Sequence, residues 1–262
     1  MARRVAVLVF GVVSYFVFLV AFLYDIGFVA NLGVPKGIDG GDATAWWPAV
    51  FINLLLIGLF AIQHSVMARP AFKQWWTRIV PEPMERSTYV LCTGLILLLM
   101  YWQWRPMPAI VWDVGQSALK WPLLALYAIG WLIVFLATFM VDHFELFGLK
   151  QVWYFFRSQP LPRVAFKTRY FYGVVRHPLM LGFLIAFWAA PTMSQGRLLF
   201  ALANTIYILV AIPIEERDLV KLIGEDYRTY RTQVPMLIPL LLKKNSSDER
   251  RLPPPANPTA RA

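Results

Sequence analysis

Six apolar stretches, residues 5–24, 48–67, 88–104, 121–141, 179–193 and 198–214, dictate most of what this chain can become. They approach or reach the roughly 17–25 residues that a helix needs to cross the hydrocarbon of a bilayer. In that solvent a backbone must satisfy its own N–H and C=O groups, so each stretch is read as a helix. The last two are short for a span and are predicted to pair as a helical hairpin turning at Ser194-Gln195-Gly196. With 58% hydrophobic and only 15% charged residues, a chain of 262 residues is too apolar for a soluble domain. The expected fold is all-α: a polytopic bundle of five or six membrane helices forming a single domain over residues 1–242. Residues 243–262, rich in charge, Ser and Pro, are expected to be a disordered tail.

Basic residues supply an orientation. If the N-terminus is cytoplasmic, residues 1–4, the 68–87 loop, the 142–178 segment and everything after 215 lie inside. Of the 25 Lys and Arg, only Lys36, Arg105, Lys120 and Arg197 then fall outside. Both termini are therefore expected in the cytoplasm, with a bacterial inner membrane as the expected location. The net charge of +10 becomes a property of the inner face, and no basic, aromatic-interleaved soluble domain points to nucleic acid. The single cysteine, Cys92, excludes an intrachain disulfide. Residues 5–24 are long enough to span and are followed by no small-residue cleavage site, so they are read as a membrane helix rather than a leader. The chain has no internal repeat of the transporter kind, no P-loop and no glycine-rich dinucleotide fingerprint.

Ionisable residues inside such a chain are the places to look for chemistry. Residues 172–182, Tyr-Gly-Val-Val-Arg-His-Pro-Leu-Met-Leu-Gly, turn from a basic segment into an apolar helix. Pro178 suits the first turn of that helix, where its missing N–H costs nothing. Arg176 and His177 then sit at the helix mouth, where free N–H groups and the positive dipole end favour an anion. A cationic Arg opposes that dipole, so a partner is expected, and the Glu215-Glu216 pair closing the next helix is the candidate. The plain alternative is a cationic anchor at the membrane interface. His64, in Gln63-His64-Ser65, is costly inside a span unless partnered and is a functional candidate, against the alternative of an interhelical hydrogen bond. Asp142 and Glu145 lie three apart and are expected on one helical face, with His143 about a third of a turn away. Three histidines on three segments, without a His-x-x-x-His, do not make a zinc or di-iron pattern, so no metal is expected. The 68–87 loop, with Lys73, Trp75, Trp76 and Arg78, reads as an interfacial helix. His64, the Asp142–Glu145 turn, Arg176-His177 and Glu215-Glu216 all fall on one side of the membrane, which predicts a shared pocket opening inward.

In combination, Arg176-His177-Pro178 at a helix start, the hairpin, Glu215-Glu216, Gly224-x-x-Tyr227-x-x-Tyr230 and Val234-Pro235 resemble the isoprenylcysteine carboxyl methyltransferase and phospholipid methyltransferase superfamily of membrane enzymes. Upstream, residues 63–70 and the Asp-His-Phe-Glu-Leu-Phe-Gly-Leu of 142–149 resemble its bacterial branch acting on methanethiol, which extends the similarity over nearly the whole chain. The resemblance implies S-adenosyl-L-methionine held at the cytoplasmic motif region rather than on a Rossmann sheet. It implies cofactor contacts at Val175, Arg176, His177, Pro178, Leu181, Gly182, Glu215, Glu216 and Tyr230, with Arg176 on the cofactor carboxylate and the glutamates on its amino or ribose hydroxyl groups. A small volatile thiol is the implied acceptor, methanethiol being converted to dimethyl sulfide. His64, Asp142 and His143 are then the candidate bases, Asp142 alternatively orienting a histidine, with Phe144 and Glu145 at the substrate. Met180 stands where much of the superfamily has Tyr, and Val174 where an aromatic is common, so contacts by those side chains are not carried over. Two alternatives stay open: an isoprenylated cysteine carboxylate or amino-lipid as acceptor, and a membrane haem with His64 and His143 as axial ligands. Membrane lipids are the expected surroundings, and no obligate protein partner is indicated.

Overall fold

The computed structural model describes residues 1–42, 44–162 and 170–239. The tail expected over residues 243–262 lies outside the described residues. In chain order the elements are α1 (Ala2–Ala30), α2 (Trp46–Ala68), α3 (Pro70–Trp76), α4 (Glu82–Gln103), β1 (Ile110–Asp113), α5 (Lys120–Val141), the single turn α6 (His143–Leu146), α7 (Leu149–Arg157), a 3-10 turn (Tyr170–Gly173), α8 (Pro178–Trp188), β2 (Thr192–Ser194), α9 (Gln195–Ile223) and α10 (Glu225–Gln233). Helices α1, α2, α5 and α9 are long and apolar enough to cross a membrane. The 22-residue α4 packs along α1, and the 11-residue α8 returns through β2 into α9 as a hairpin. The protein is an all-α polytopic membrane protein, with one short antiparallel ribbon, β1 against β2, closing an end of the bundle.

Local chemistry explains where these elements start and stop. Helix α4 begins upstream of its apolar run because Pro83 sits in its first turn, where Glu82 and Glu85 complement the dipole. Helix α9 continues past Pro213 for ten residues to Ile223, whereas the sequence had placed its end near Ile214. Helix α5 stops at Asp142, whose backbone is extended and whose carboxylate caps the next turn by accepting from the Glu145 N–H at 3.1 Å. Asp142 and Glu145 are thus related as cap and capped residue across a helix break, rather than as neighbours on one face. Gly148, at φ 85°, then starts α7 in a conformation that costs glycine little.

Lipid tails are as apolar as leucine, so helices in a membrane associate through close packing at small residues. The tightest seam joins α5 to α8. A Cβ on Gly182 would come within 2.7 Å of the Gly130 carbonyl oxygen, and one on Gly130 within 2.6 Å of the Ala186 nitrogen. A second seam joins α1 to α4, where Gly94 lies against the Phe18 backbone. Apolar side chains such as Phe16 and Val20 of α1, Leu55 and Ile62 of α2, Leu132 of α5 and Ile206 of α9 point outward as a lipid-facing band. At the ribbon end, Lys36 Nζ donates to the carbonyls of Trp102 and Trp104 at 2.7 and 2.8 Å, capping α4.

The opposite end carries α3, α6, α7 and α10, and its organising device is a strap. After α10 the chain crosses the start of α8, where the Arg176 and His177 N–H groups donate to the Pro235 and Met236 carbonyls at 2.9 and 3.2 Å. Leu237 buries itself against Ile208 and Ile212 of α9, with Leu181 of α8 in the same cluster. The mouth of α8 is therefore closed over by the strap from the C-terminal side of the chain.

Candidate active site

Four pieces of chain meet at the strap end, and each brings polar groups there for a local reason. Helix α2 runs until Arg69, which turns extended and is followed by Pro70 at the start of α3, so His64 lies one turn inside the helix end. The His64 ring stacks on Phe60 with centroids 5.2 Å apart, and the Tyr89 hydroxyl of α4 is 2.9 Å from each of its nitrogens. The Arg86 guanidinium lies 5.1 Å over the Tyr89 ring and donates through Nε to the Leu146 carbonyl at 2.7 Å. One residue beyond His64, Ser65 meets the Tyr207 hydroxyl of α9 at 3.2 Å, and Arg69 pairs with Asp218 at 2.8 Å. These contacts lock the ends of α2, α4 and α9 together.

The motif region is built around Glu216, which is only 4% exposed. Its Oε1 accepts from Arg176 Nε at 2.7 Å and faces His177 Nε2 at 3.1 Å, while Oε2 forms an ion pair with Arg231 Nε at 3.1 Å. Arg176 also donates through one terminal amino group to the carbonyls of Arg231 and Val234. The partner that a cation at a helix N-terminus requires is thus Glu216, as its sequence position indicated. Such a buried pair is stable only because its remaining donors and acceptors are also met. Glu215 differs: its side chain is 42% exposed, and its only ion-pair-range neighbour among the described residues is the imidazole Nδ1 of His177 at 3.9 Å. Tyr89, Tyr207 and Tyr172 all lie within electrostatic range of the Glu215 carboxylate. Tyr230 donates to the Tyr172 carbonyl at 2.6 Å, and burial pushes its phenol up to about 12. Val175 is buried, Leu181 sits under the strap, and Gly182 is taken up by the contact with Gly130.

Tyr89 holds His64 and Tyr207 holds the neighbouring Ser65, and both phenols lie within electrostatic range of Glu215, whose carboxylate is 3.9 Å from His177. Neither tyrosine is marked as functional by its sequence position, since a Tyr in an apolar run looks like packing. His143 stands apart. Its Nδ1 lies 2.8 Å from Thr138 Oγ1, whose hydroxyl already donates to the Phe135 carbonyl, so Nδ1 is the protonated nitrogen. Its Nε2 then accepts from the Tyr15 hydroxyl at 2.9 Å, and its ring stacks on Phe139 at 4.3 Å. With both nitrogens engaged it offers no lone pair to a haem iron. Burial lowers its pKa, with the Asp142 charge opposing that shift. Asp142 pairs with Lys150, Phe144 is half-exposed against Phe139 and His143, and Glu145 borders a separate cavity with Arg86.

An integral membrane protein whose polar residues gather around a histidine–tyrosine pair and a buried carboxylate at one end of the bundle has the layout of a membrane-embedded enzyme. The chain belongs to the methanethiol S-methyltransferase family. It is 54% identical to methanethiol S-methyltransferase 2 of Bradyrhizobium diazoefficiens over 97% of its own length and 98% of that protein. It is 53% identical to methanethiol S-methyltransferase of Mycobacterium tuberculosis over 90% of its length and 97% of that protein. Nurim of Mus musculus is 34% identical over 71% of the chain and 78% of that protein. No protein-family profile and no solved structure matches.

Proposed function

We propose that this protein methylates methanethiol to dimethyl sulfide with S-adenosylmethionine as donor, in a bacterial inner membrane with both termini cytoplasmic. The observation that carries the reading is the near full-length identity to proteins bearing that name. The residues present fit the donor. Glu215 is a half-exposed carboxylate with no Lys or Arg ion pair among the described residues, suited to an ammonium or a ribose diol. Arg176 spends Nε and one amino group on the protein, and its second amino group, which has no partner among the described residues, suits a carboxylate. When bound, the donor supplies an electrophilic methyl on a sulfonium, whose transfer to a thiolate removes two opposite charges and is favoured by a dry pocket.

The chain's own residues have two tasks in this reading. The first is to hold the cofactor end: Glu216 fixes the Arg176 and His177 side chains, the strap fixes their backbone at the mouth of α8 between Val175 and Pro178, and Tyr230 fixes Tyr172. Leu181 and Gly182 then support that mouth from below. The second is to take a proton, because a small alkanethiol titrates at about 8.5 or above by analogy with cysteine. His64 takes this role. Tyr89 can donate to a bare His64 nitrogen or accept from a protonated one at the same 2.9 Å, which keeps the ring in place through proton transfer. His143 and Asp142, already engaged by Tyr15, Thr138 and Lys150, brace the helix break behind it.

The test is product analysis with isotopically labelled S-adenosylmethionine against a panel of short thiols, an isoprenylated cysteine and an aminophospholipid. Labelled dimethyl sulfide from methanethiol, with no labelled lipid, is the expected result. Label appearing only in a lipid or prenylated product would overturn the acceptor assignment.

A further inference from the structure

A cavity of about 280 Å³ opens between α3, α4 and the α5–α7 junction, lined among others by Lys73, Glu85, Arg86, Asp142, Glu145 and Gln151. Its two walls differ in what they offer. On one side Lys73 Nζ stays 4.0 Å from Glu85, beyond direct hydrogen bonding, and Arg86 commits Nε to Leu146 while its terminal amino groups remain. On the other side Glu145 Oε2 and Gln151 Oε1 are fully buried atoms with no hydrogen-bond partner among the described residues. The nearest cation to Glu145 Oε2 is Lys150 at 4.0 Å, and Lys150 is already engaged by Asp142. Gln151 cannot turn its oxygen away cheaply, because its Nε2 donates to the Glu145 carbonyl at 3.1 Å. Buried acceptors left bare are rare and costly in folded proteins, so two side by side call for a donor that none of the described residues supplies.

A simple anion would meet Lys73 and Arg86 but be repelled by Glu145. A metal ion would meet the reverse. The combination calls for one ligand bearing an anionic group and, a few bonds away, an ammonium with N–H donors. Two of the helices that line the cavity, α3 and α7, carry half-exposed Trp75 and Trp153, the residue type that settles at headgroup depth. We propose that this cavity binds a primary-ammonium zwitterion, its phosphate or carboxylate on Lys73 and Arg86 and its ammonium on Glu145 and Gln151. At this depth the phosphoethanolamine headgroup of a membrane lipid is the favoured source, and a free amino acid carries the same chemistry. The ligand is bound without being methylated, and because Arg86 also covers Tyr89, occupancy steadies the wall behind His64. The site stands independently of the methyl-transfer reading.

The experiment titrates the full-length protein in detergent with short-chain phosphatidylethanolamine, the matching phosphatidylcholine, free phosphoethanolamine and free alanine, reading thermal unfolding. Phosphatidylethanolamine should stabilise, and phosphatidylcholine, whose quaternary ammonium has no N–H, should not. Stabilisation by free phosphoethanolamine or alanine at similar concentration would identify a water-soluble zwitterion as the source. Glu145→Gln and Lys73→Met should each weaken the effect about tenfold or more, the scale of one lost charged hydrogen bond. Equal stabilisation by both lipids, or none by any zwitterion, overturns the proposal on wild-type protein alone. Full retention of the ethanolamine preference in both variants overturns the assignment of residues.

Discussion

Two adjacent glutamates should behave oppositely when neutralised. Glu216 side-chain atoms are 5% exposed and face two guanidinium groups and an imidazole, at 2.7 Å from Arg176 and 3.1 Å from both His177 and Arg231. Replacing Glu216 with Gln strips the charge from that cluster and leaves the Arg176 guanidinium, itself 10% exposed, buried beside a neutral amide. Breaking one side of a buried pair costs about 3–5 kcal/mol, since the remaining charge is stranded. At about 2–4 °C per kcal/mol for a chain of this size, thermal unfolding should fall by roughly 6–20 °C. Glu215, at 42% exposure and 3.9 Å from the His177 imidazole, should lose under about 1 kcal/mol of stability on the same change. Its loss should instead weaken S-adenosylmethionine binding by about 1.5–3 kcal/mol, a charged hydrogen bond's worth. Unfolding scans and calorimetric titration on both variants, purified in the same detergent, separate the two effects. A Glu216→Gln protein melting within about 2 °C of wild type would refute the cluster as the clamp on α8. Equal destabilisation by Glu215→Gln would remove its free status.

Replacing Gly182 with Ala places a Cβ 2.7 Å from a carbonyl oxygen that cannot step aside, so it should lose about 1–3 kcal/mol of stability in an unfolding scan; an unchanged melting temperature would mean that α5 and α8 are less tightly joined. His64→Ala should lower turnover about 10²–10⁴-fold with donor affinity retained, and should be partly rescued as rising pH ionises the thiol; a variant keeping more than about a tenth of wild-type turnover would exclude His64 as base. The depressed pKa of His143 means that the unfolded chain binds more protons than the folded one below about pH 6.5, so its contribution to stability is complete above that value and is lost as pH falls. His143→Gln should therefore flatten the stability–pH slope below about pH 6.5, and an unaltered slope would show that another group titrates there.

Much of the fold was legible because hydrocarbon length and backbone saturation leave few choices. The stretch 121–141 became α5 almost residue for residue, and the turn at Ser194-Gln195-Gly196 falls where β2 meets α9. What escaped was non-local. The end of α9 moved past Pro213, which lacks an N–H to donate and which sequence rules read as a stop. The Arg176–Glu216 pair could be anticipated from the dipole penalty at a helix start. The separate fates of His64 and His143 could not, because both are histidines at the ends of apolar runs, and only their neighbours distinguish them. Tyr15 and Thr138 occupy one completely, while a single tyrosine hydroxyl attends the other. Nor could the sequence order Glu215 and Glu216, since a helical rotation of one residue decides which faces the strap.

Eleven residues give α8 a rise of only about 16 Å, near half of the roughly 30 Å of hydrocarbon. Its mouth stands level with Glu216, and α9 runs on for seven more residues, so the catalytic end is recessed by about 10 Å beneath the end of the neighbouring helix. On the proposed reading, the two reactants then arrive by different roads. A charged donor must descend from water, but a small uncharged thiol dissolves in lipid and can enter sideways, and a still more apolar sulfide can leave the same way. The bilayer becomes a reservoir for both. The enzyme responds to the concentration partitioned into the membrane, and toxic thiol is consumed in the compartment where it accumulates.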